Sequence, residues 1–392
     1  MHPALELRSD IPALLHQTYL NWGTLGASPN RVTDAFTDAY RAWQAAGPGR
    51  PAVYLAQRDH LNALRVDLAK LIGAKPEQLA IVRNVTEAIA LIAVSFPFAP
   101  DDVVLLSDQE HPANLFVWRG LEQAGRIRVR LMDPGRSSQE TIASLRSALE
   151  EGPVRLLAIS HVLAATGRVL PVSELSALAH KAGAAVLLDG AQAPGAIPID
   201  VAETGADFYA LNGHKWMLAP VGCGGLVISD AWRPRLLPIP MGAGSSASDE
   251  DGRFTPVTFL STASRYETGT HNGSLAVGFK EAVRLQQELG PKALFARSAL
   301  LRDRFLEGIR RLDTVQEVAG EQNGTMVSVR LGRWPVDQVV TKLWEQHRVT
   351  VRMVHELRPF AVRFSFAAFN SEQEVDLAVF ALSELGEGPG RP

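Results

Sequence analysis

Between about residue 78 and residue 230 the chain repeats one rhythm, a short apolar run followed by a longer segment with helical spacing. Few folds accommodate it. The apolar runs are LAIV (79–82), VVLL (103–106), IRVRLM (127–132), RLLAIS (155–160), AVLL (185–188), FYAL (208–211) and GGLVI (224–228). Helical patterns such as VSELSALAHKAG (172–183) fit between most of them. Strands alternating with helices predict an α/β fold with a mostly parallel, seven-stranded sheet covered on both faces.

The flanks read differently. Residues 12–30, including YLNWGTLGASP, are expected to form a loop crossing a domain face. Apolar spacing predicts helices over 31–45 and 56–72, with the breaker-rich AAGPGRPAV between them. Residues 231–264 are rich in Pro, Gly, Ser and Asp and read as a long loop. Helices are expected over 274–289 and 291–312. After residue 313, the strand-like runs MVSVRL, VTVRM and AVRFSF alternate with helices at 335–347 and 371–385, the pattern of a smaller α+β domain. The expected division is an N-terminal segment (1–30), a large domain (31–273), a small domain (274–386) and a disordered tail (387–392).

With 392 residues the chain can bury two cores. Its net charge of −3, without a local Lys/Arg cluster, offers no footprint for nucleic acid. The single cysteine, Cys223, excludes an internal disulfide framework and a multi-cysteine metal site. No metal-ligand spacing, Walker sequence or nucleophile elbow occurs. The start lacks a basic segment leading into an apolar one, and no apolar run could span a bilayer, so a cytoplasmic location is expected. The sequons at Asn84, Asn272 and Asn323 are then chance matches.

In an open α/β sheet, reactive groups lie just past the carboxyl ends of the strands. Two polar clusters fall there. Asp189 closes AAVLLD, and Asn212-Gly213-His214-Lys215 follows FYAL. A lysine after a strand is ordinarily a solvated charge. Yet of seven lysines, Lys70, Lys181, Lys280, Lys292 and Lys342 lie in helix-like segments and Lys75 follows Ile72-Gly73-Ala74 in an expected turn, so Lys215 stands apart. A carboxylate and an amine at neighbouring strand ends suit pyridoxal phosphate, which needs an anion against its pyridinium nitrogen and an amine for a Schiff base.

Further polar groups sit at other strand ends. Val85 and Thr86 open a helix after LAIV, where free N–H groups make an anion site or an ordinary N-cap. His111 follows VVLL and could stack on a planar ring, or lie on the surface. His161 ends RLLAIS. Thr270, in the ETGTHNG loop, offers a hydroxyl. Arg352 and Arg363 lie in apolar strands, where a guanidinium is costly unless it meets a carboxylate, either a substrate's or a nearby glutamate's. Val221-Gly222-Cys223-Gly224-Gly225 leads into a strand, which excludes a dinucleotide loop.

Taken together, NVTEA, SDQEHPANL, SHVLAATGRVLP, LLDGAQAPG, FYALNGHKW and ETGTHNG resemble the class V aminotransferase family of fold-type I pyridoxal-phosphate enzymes. The likeness runs from YLNWGTLG to AAFNSEQEVDLAVF and is strongest to cystine C–S lyases and isopenicillin N epimerases, with cysteine desulfurases more distant. The resemblance implies that Lys215 binds the cofactor covalently and moves protons at Cα. It implies that Asp189 pairs with the pyridinium nitrogen, His111 stacks on the ring and Gln192 lies near its phenolic oxygen. Val85, Thr86 and His214 would hold the phosphate. Thr270 would reach it from a neighbouring subunit, which makes the expected assembly a homodimer with the active site at its interface. Arg363, with Arg352, would hold the carboxylate of a small amino-acid substrate.

Two departures bear on the reaction. Desulfurases carry a cysteine nucleophile on the loop before the carboxylate-binding arginine, and VRMVHELRPFAVRFSF has none. They also place an asparagine near the phenolic oxygen where this chain has Ala164. The expected activity is C–S lysis by β-elimination. Epimerisation, with His111 as the second acid, and transamination are the alternatives, and a non-catalytic scaffold is further off.

Overall fold

The computed structural model describes residues 3–247, 257–332 and 334–386. The middle of the 231–264 loop and the tail expected to be disordered lie outside the described residues. In chain order the helices are α1 (Pro3–Glu6), α2 (Asn30–Ala45), α3 (Pro51–Ile72), α4 (Val85–Ser95), α5 (Pro112–Gln123), α6 (Ser138–Glu150), α7 (Val172–Lys181), α8 (Gly273–Leu289), α9 (Pro291–Ile309), α10 (Val336–His347) and α11 (Glu372–Ser383). Strand β1 (Thr18–Tyr19) precedes β2 (Leu79–Val82), β3 (Val103–Ser107), β4 (Arg128–Met132), β5 (Leu156–Ser160), β6 (Ala185–Asp189), β7 (Phe208–Asn212) and β8 (Gly224–Ile228). A short antiparallel pair, β9 (Ser246–Ala247) and β10 (Thr258–Phe259), is followed by β11 (Val315–Val318), β12 (Met326–Leu331), β13 (Val349–Thr350), β14 (Arg352–Val354) and β15 (Ala361–Ser365).

Strands β2 to β8 form one seven-stranded sheet in the order β2-β8-β7-β6-β5-β3-β4. Only the two pairings made by β8 are antiparallel. The fold is therefore the mostly parallel α/β sheet expected. Successive residues of a strand face opposite sides, and the two cores follow from that. Leu105, Leu157, Val186, Leu188 and Leu211 pack on one face with α3, α7 and α8. Val104, Leu106, Leu156, Leu187 and Ala210 pack on the other with α4 and Trp118 of α5. Both faces being covered, the inner strands are mainly apolar, as parallel sheets require, and the edge strand β4 carries Arg128 and Arg130.

Strands β11, β12, β15 and β14 form a four-stranded antiparallel sheet in that order, backed by Leu301 and Phe305 of α9, Leu343 of α10 and Val375 of α11. Helix α8 does not join it. Ala276, Phe279, Ala282 and Val283 lie in the large-sheet core, so we propose that the division between the two parts follows Leu289 rather than residue 273.

Two local expectations are corrected. The helix expected from residue 56 begins at Pro51, which occupies the first turn, where its missing N–H costs nothing, and it ends at Gly73 in the left-handed conformation (φ 69°). The crossing segment 12–30 is not wholly loop. Thr18 and Tyr19 pair in parallel with Val349 and Thr350, and Asn21 bridges to Ser365. Trp22, fully buried, donates to Asn370 Oδ1 at 2.9 Å and so ties this segment to the small sheet.

Candidate active site

The parallel strands present their carboxyl ends on one edge, and a cavity of about 290 Å³ opens there. Its lining comes from several strand ends at once. Strand β6 contributes Asp189 and then Ala191. Strand β7 contributes Asn212, followed by His214 and Lys215. The turn after β2 contributes Asn84, Val85 and Thr86, the residue after β3 contributes His111, and the small sheet adds Arg352. Gly23 and Thr24 of the crossing segment complete the wall.

The electrostatics are set by the burial of its charged groups. Burial pushes the Lys215 ammonium down to about 8; Asp189 opposes this, whereas Arg363 and Arg352 add to it. The carboxyl group of Asp189 is raised by burial, against a hydrogen bond from the Ala191 backbone N–H to Oδ1 at 2.8 Å and the charge of Lys215. Each therefore makes the other's charged form less costly. Burial, with Lys215 next, brings His111 down to about 4, and its Nδ1 accepts from Ala113 N at 3.1 Å at the start of α5. The imidazole is uncharged at neutral pH. His214 is lowered for the same two reasons.

Helix α4 begins at the cavity with Asn84 as its cap, the side chain accepting from Glu87 N at 2.9 Å. Thr86 lies exposed in its first turn, at the positive end of the helix dipole. The N–H of Val85 is already engaged, donating to Asn212 Oδ1 at 2.9 Å. Gln192 also has partners of its own. Its amide donates to Gly23 O at 2.7 Å and accepts from Trp216 Nε1 at 2.8 Å, so it braces the crossing segment against the lysine loop. Gly26 serves the same junction. Its N–H donates to His214 O at 2.9 Å, and a Cβ there would land on the carbonyl oxygen of Lys215.

The two arginines are not equivalent. Arg352 lines the cavity and pairs with Glu356 at 2.6 Å. Arg363 is 0 % exposed; it donates to Ala164 O at 2.6 Å and Thr24 Oγ1 at 3.2 Å, while its Nε has no hydrogen-bond partner. No carboxylate among the described residues pairs with it. Thr270 is not brought to the cavity in this chain. It is exposed beside Tyr54, 3.5 Å between hydroxyls, on another surface.

Two groups, Glu356 and Glu110, escaped the sequence reading as site members, and a third, Asn212, stood in its polar cluster without a role. Asn212 holds the start of α4. Glu356 turns Arg352 into half of an ion pair. Glu110 is buried between β3 and β5, accepting from Ser107 Oγ, Asn114 Nδ2, Ser160 N and Ser160 Oγ at 2.6–3.0 Å, and burial raises it to about 7. It sits immediately before His111 and fixes that strand end. His161 turns away from the cavity to Tyr209, 2.9 Å from Nδ1 to the hydroxyl.

This donor set fits pyridoxal phosphate. A shielded carboxylate, an amine held partly deprotonated, a neutral imidazole and a helix N-terminus converge on one cavity, and Lys215 and Asp189 come from adjacent strands.

The aminotransferase class-V family model matches residues 19–378. Isopenicillin N epimerase of Amycolatopsis lactamdurans is 33% identical over 94% of this chain and 95% of its own length. The cystine C–S lyase C-DES, seen with its product cysteine persulfide, superposes with a TM-score of 0.87 at 26% identity, covering 97% of this chain and 100% of that one. A cysteine desulfurase from Thermococcus onnurineus NA1 gives 0.87 at 25% identity over 98% of both chains. On this evidence the chain belongs to the class-V aminotransferase family and is a pyridoxal-phosphate-dependent enzyme of the fold-type I class.

Proposed function

We propose that the protein is a C–S lyase, removing a sulfur substituent from Cβ of cystine or an S-substituted cysteine. The observation that carries this reading is the position of the only cysteine. Cys223 is buried in the turn before β8, its thiol contacts Leu275 O at 3.7 Å, and burial pushes it up to about 12. A thiol so placed is no nucleophile. The loop between β14 and β15, which carries the desulfurase cysteine, has none here. An elimination needs no enzyme thiol, because the sulfur departs with the leaving group.

Pyridoxal phosphate supplies the electron sink that stabilises negative charge at Cα of a bound amino acid. The chain's own groups do the rest. Asp189 would hold the ring nitrogen protonated, His111 would cover the ring, and Thr86, His214 and the start of α4 would hold the phosphate. Arg363, whose Nε has no hydrogen-bond partner, would hold the α-carboxylate. Lys215 Nζ, lowered toward neutrality, removes the proton from Cα, and the Cβ–S bond then breaks with the electron pair leaving on sulfur. We also infer that the protein works in the cytoplasm as a homodimer, Thr270 reaching the partner's phosphate. Among the described residues no helix is long and apolar enough to cross a membrane.

The similarity to isopenicillin N epimerase favours a second reading, inversion at Cα. Such a reaction needs an acid on the face opposite Lys215. His111, brought down to about 4, is a poor one at neutral pH. The deciding assay is pyruvate release from L-cystine and a panel of S-substituted cysteines. Release that is absent in Lys215→Ala supports the lyase. No pyruvate, with solvent deuterium entering Cα, moves the assignment to the epimerase.

A further inference from the structure

We propose that Thr24 is a placeholder on Arg363, occupying the guanidinium in the empty site and giving way to the substrate's α-carboxylate. This rests on the reading of Arg363 as the α-carboxylate ligand but not on which bond the enzyme breaks. Arg363 is wholly buried and does not line the cavity, whereas Gly23 and Thr24 do. Both of them meet the same nitrogen. Thr24 Oγ1 accepts from Arg363 Nη2 at 3.2 Å, and a Cβ added to Gly23 would come within 2.9 Å of that Nη2. The turn over residues 21–24 is thus the wall between the cavity and the guanidinium.

The backbone of that turn is fixed. Thr24 N–H donates to Asn21 O at 3.0 Å, Trp22 Nε1 donates to Asn370 Oδ1 at 2.9 Å, and Gly23 O accepts from Gln192 Nε2 at 2.7 Å. The Thr24 side chain is held through its hydroxyl, which donates to Asn21 Oδ1 at 2.7 Å and so turns its lone pairs to Arg363. Thr24 is exposed, so a rotation about χ1 can carry Oγ1 off the guanidinium while the backbone stays in place.

The other acceptor cannot yield in this way. Ala164 O is a backbone carbonyl of a buried residue, 2.6 Å from Arg363 Nη1, and it keeps the guanidinium oriented while Nη2 changes partner. A carboxylate wins the exchange because it is charged and can accept from two N–H groups at once, whereas the hydroxyl is neutral. It also brings the counter-charge that no carboxylate among the described residues gives Arg363 by pairing with it. An amine without a carboxylate has nothing to offer Nη2, so Thr24 stays. The bond to Thr24 therefore stabilises the empty site alone, and it weakens the binding of every amino acid that must break it.

The test uses the holoenzyme with L-alanine, which lacks a leaving group at Cβ, and L-alaninamide, which also lacks the carboxylate. Dissociation constants are read from the change in the cofactor's absorption spectrum and from calorimetry, neither of which needs turnover. Thr24→Val keeps the shape and removes the acceptor, so it should bind L-alanine about 5-fold tighter than the unaltered enzyme, the worth of one hydrogen bond. Thr24→Ser should match the unaltered enzyme, and L-alaninamide should not distinguish the three proteins. A residue that only shapes the fold, or that steadies Arg363 in the bound state, gives no gain or a loss. Weaker or unchanged binding of L-alanine by Thr24→Val therefore overturns the proposal, as does an equal gain in Thr24→Ser or for L-alaninamide. Arg363→Ala separates the two readings. If it leaves the advantage of L-alanine over L-alaninamide intact, the carboxylate ligand is another residue and both readings fail. If it abolishes that advantage while Thr24→Val gives no gain, only the placeholder fails.

Discussion

Arg352 and Arg363 lie on neighbouring strands, directly paired in register, yet the protein treats them in opposite ways. Arg352 is given a carboxylate by its own loop. Arg363 is given two neutral acceptors, an orphaned Nε and no counter-charge among the described residues. Burying a guanidinium without its partner is expensive. The contrast bears on where the anion comes from: for Arg352 the fold supplies it, and on the function proposed above the substrate supplies it for Arg363.

The sharpest way to break this comparison is Arg363→Ala. Loss of a buried, charge-assisted carboxylate contact should raise KM by about 100-fold or more, with bound cofactor retained in the absorption spectrum. Loss of the cofactor instead would make Arg363 a structural residue. Arg352→Ala should cost less, about 10-fold in kcat/KM, and a double-mutant cycle with Glu356→Gln should return a coupling of roughly 1–2 kcal/mol. An absent coupling would mean that the ion pair does not set the geometry of the site.

A third cation extends the contrast to pH. In the cofactor-free protein Lys215 is lowered from 10.5 to about 8. Between those values the unfolded chain binds the extra proton, so stability should rise as pH goes from 8 to 10.5, and below 8 that gain should be absent. Thermal midpoints of the apoprotein measure this, and Lys215→Met should flatten the slope. The smallest effect is reserved for Arg83, whose bridge to Glu87 at 2.7 Å lies on the surface with the arginine 76% exposed. Arg83→Ala should change stability by about 0.5 kcal/mol or less in denaturant titration, which sets the floor against which the buried arginines are judged.

Most of the fold was legible because the inner strands of the large sheet are apolar runs buried on both faces, and only the edge strand β4, with Arg128 and Arg130, departs from that composition. Strand β11 was not, since Val-Gln-Glu-Val is short and half polar at the rim of the small sheet. Helix α3 was misjudged at its start because Pro51 reads as a breaker in a list of residues and as an initiator in a first turn. Lys215 and Asp189 could be read from their places at strand ends. Glu356 and Glu110 could not. A glutamate in a loop looks solvated until the chain around it closes, and only the three-dimensional approach of Arg352, or of Ser107, Asn114 and Ser160, gives either one a meaning.

The pairing of residues 18–22 with residues 349–370 has a consequence for the order of synthesis. The strands that carry Asp189 and Lys215 leave the ribosome long before the partners of the crossing segment exist. Gly23 and Thr24 can wall the cavity only after β13 and β15 have been made, because those strands anchor the segment. The crossing segment must therefore wait for strands made much later, and cofactor capture follows the completion of the large sheet. Ribosome-stalled chains ending before residue 349 should fail to retain pyridoxal phosphate, even with every large-sheet strand already complete.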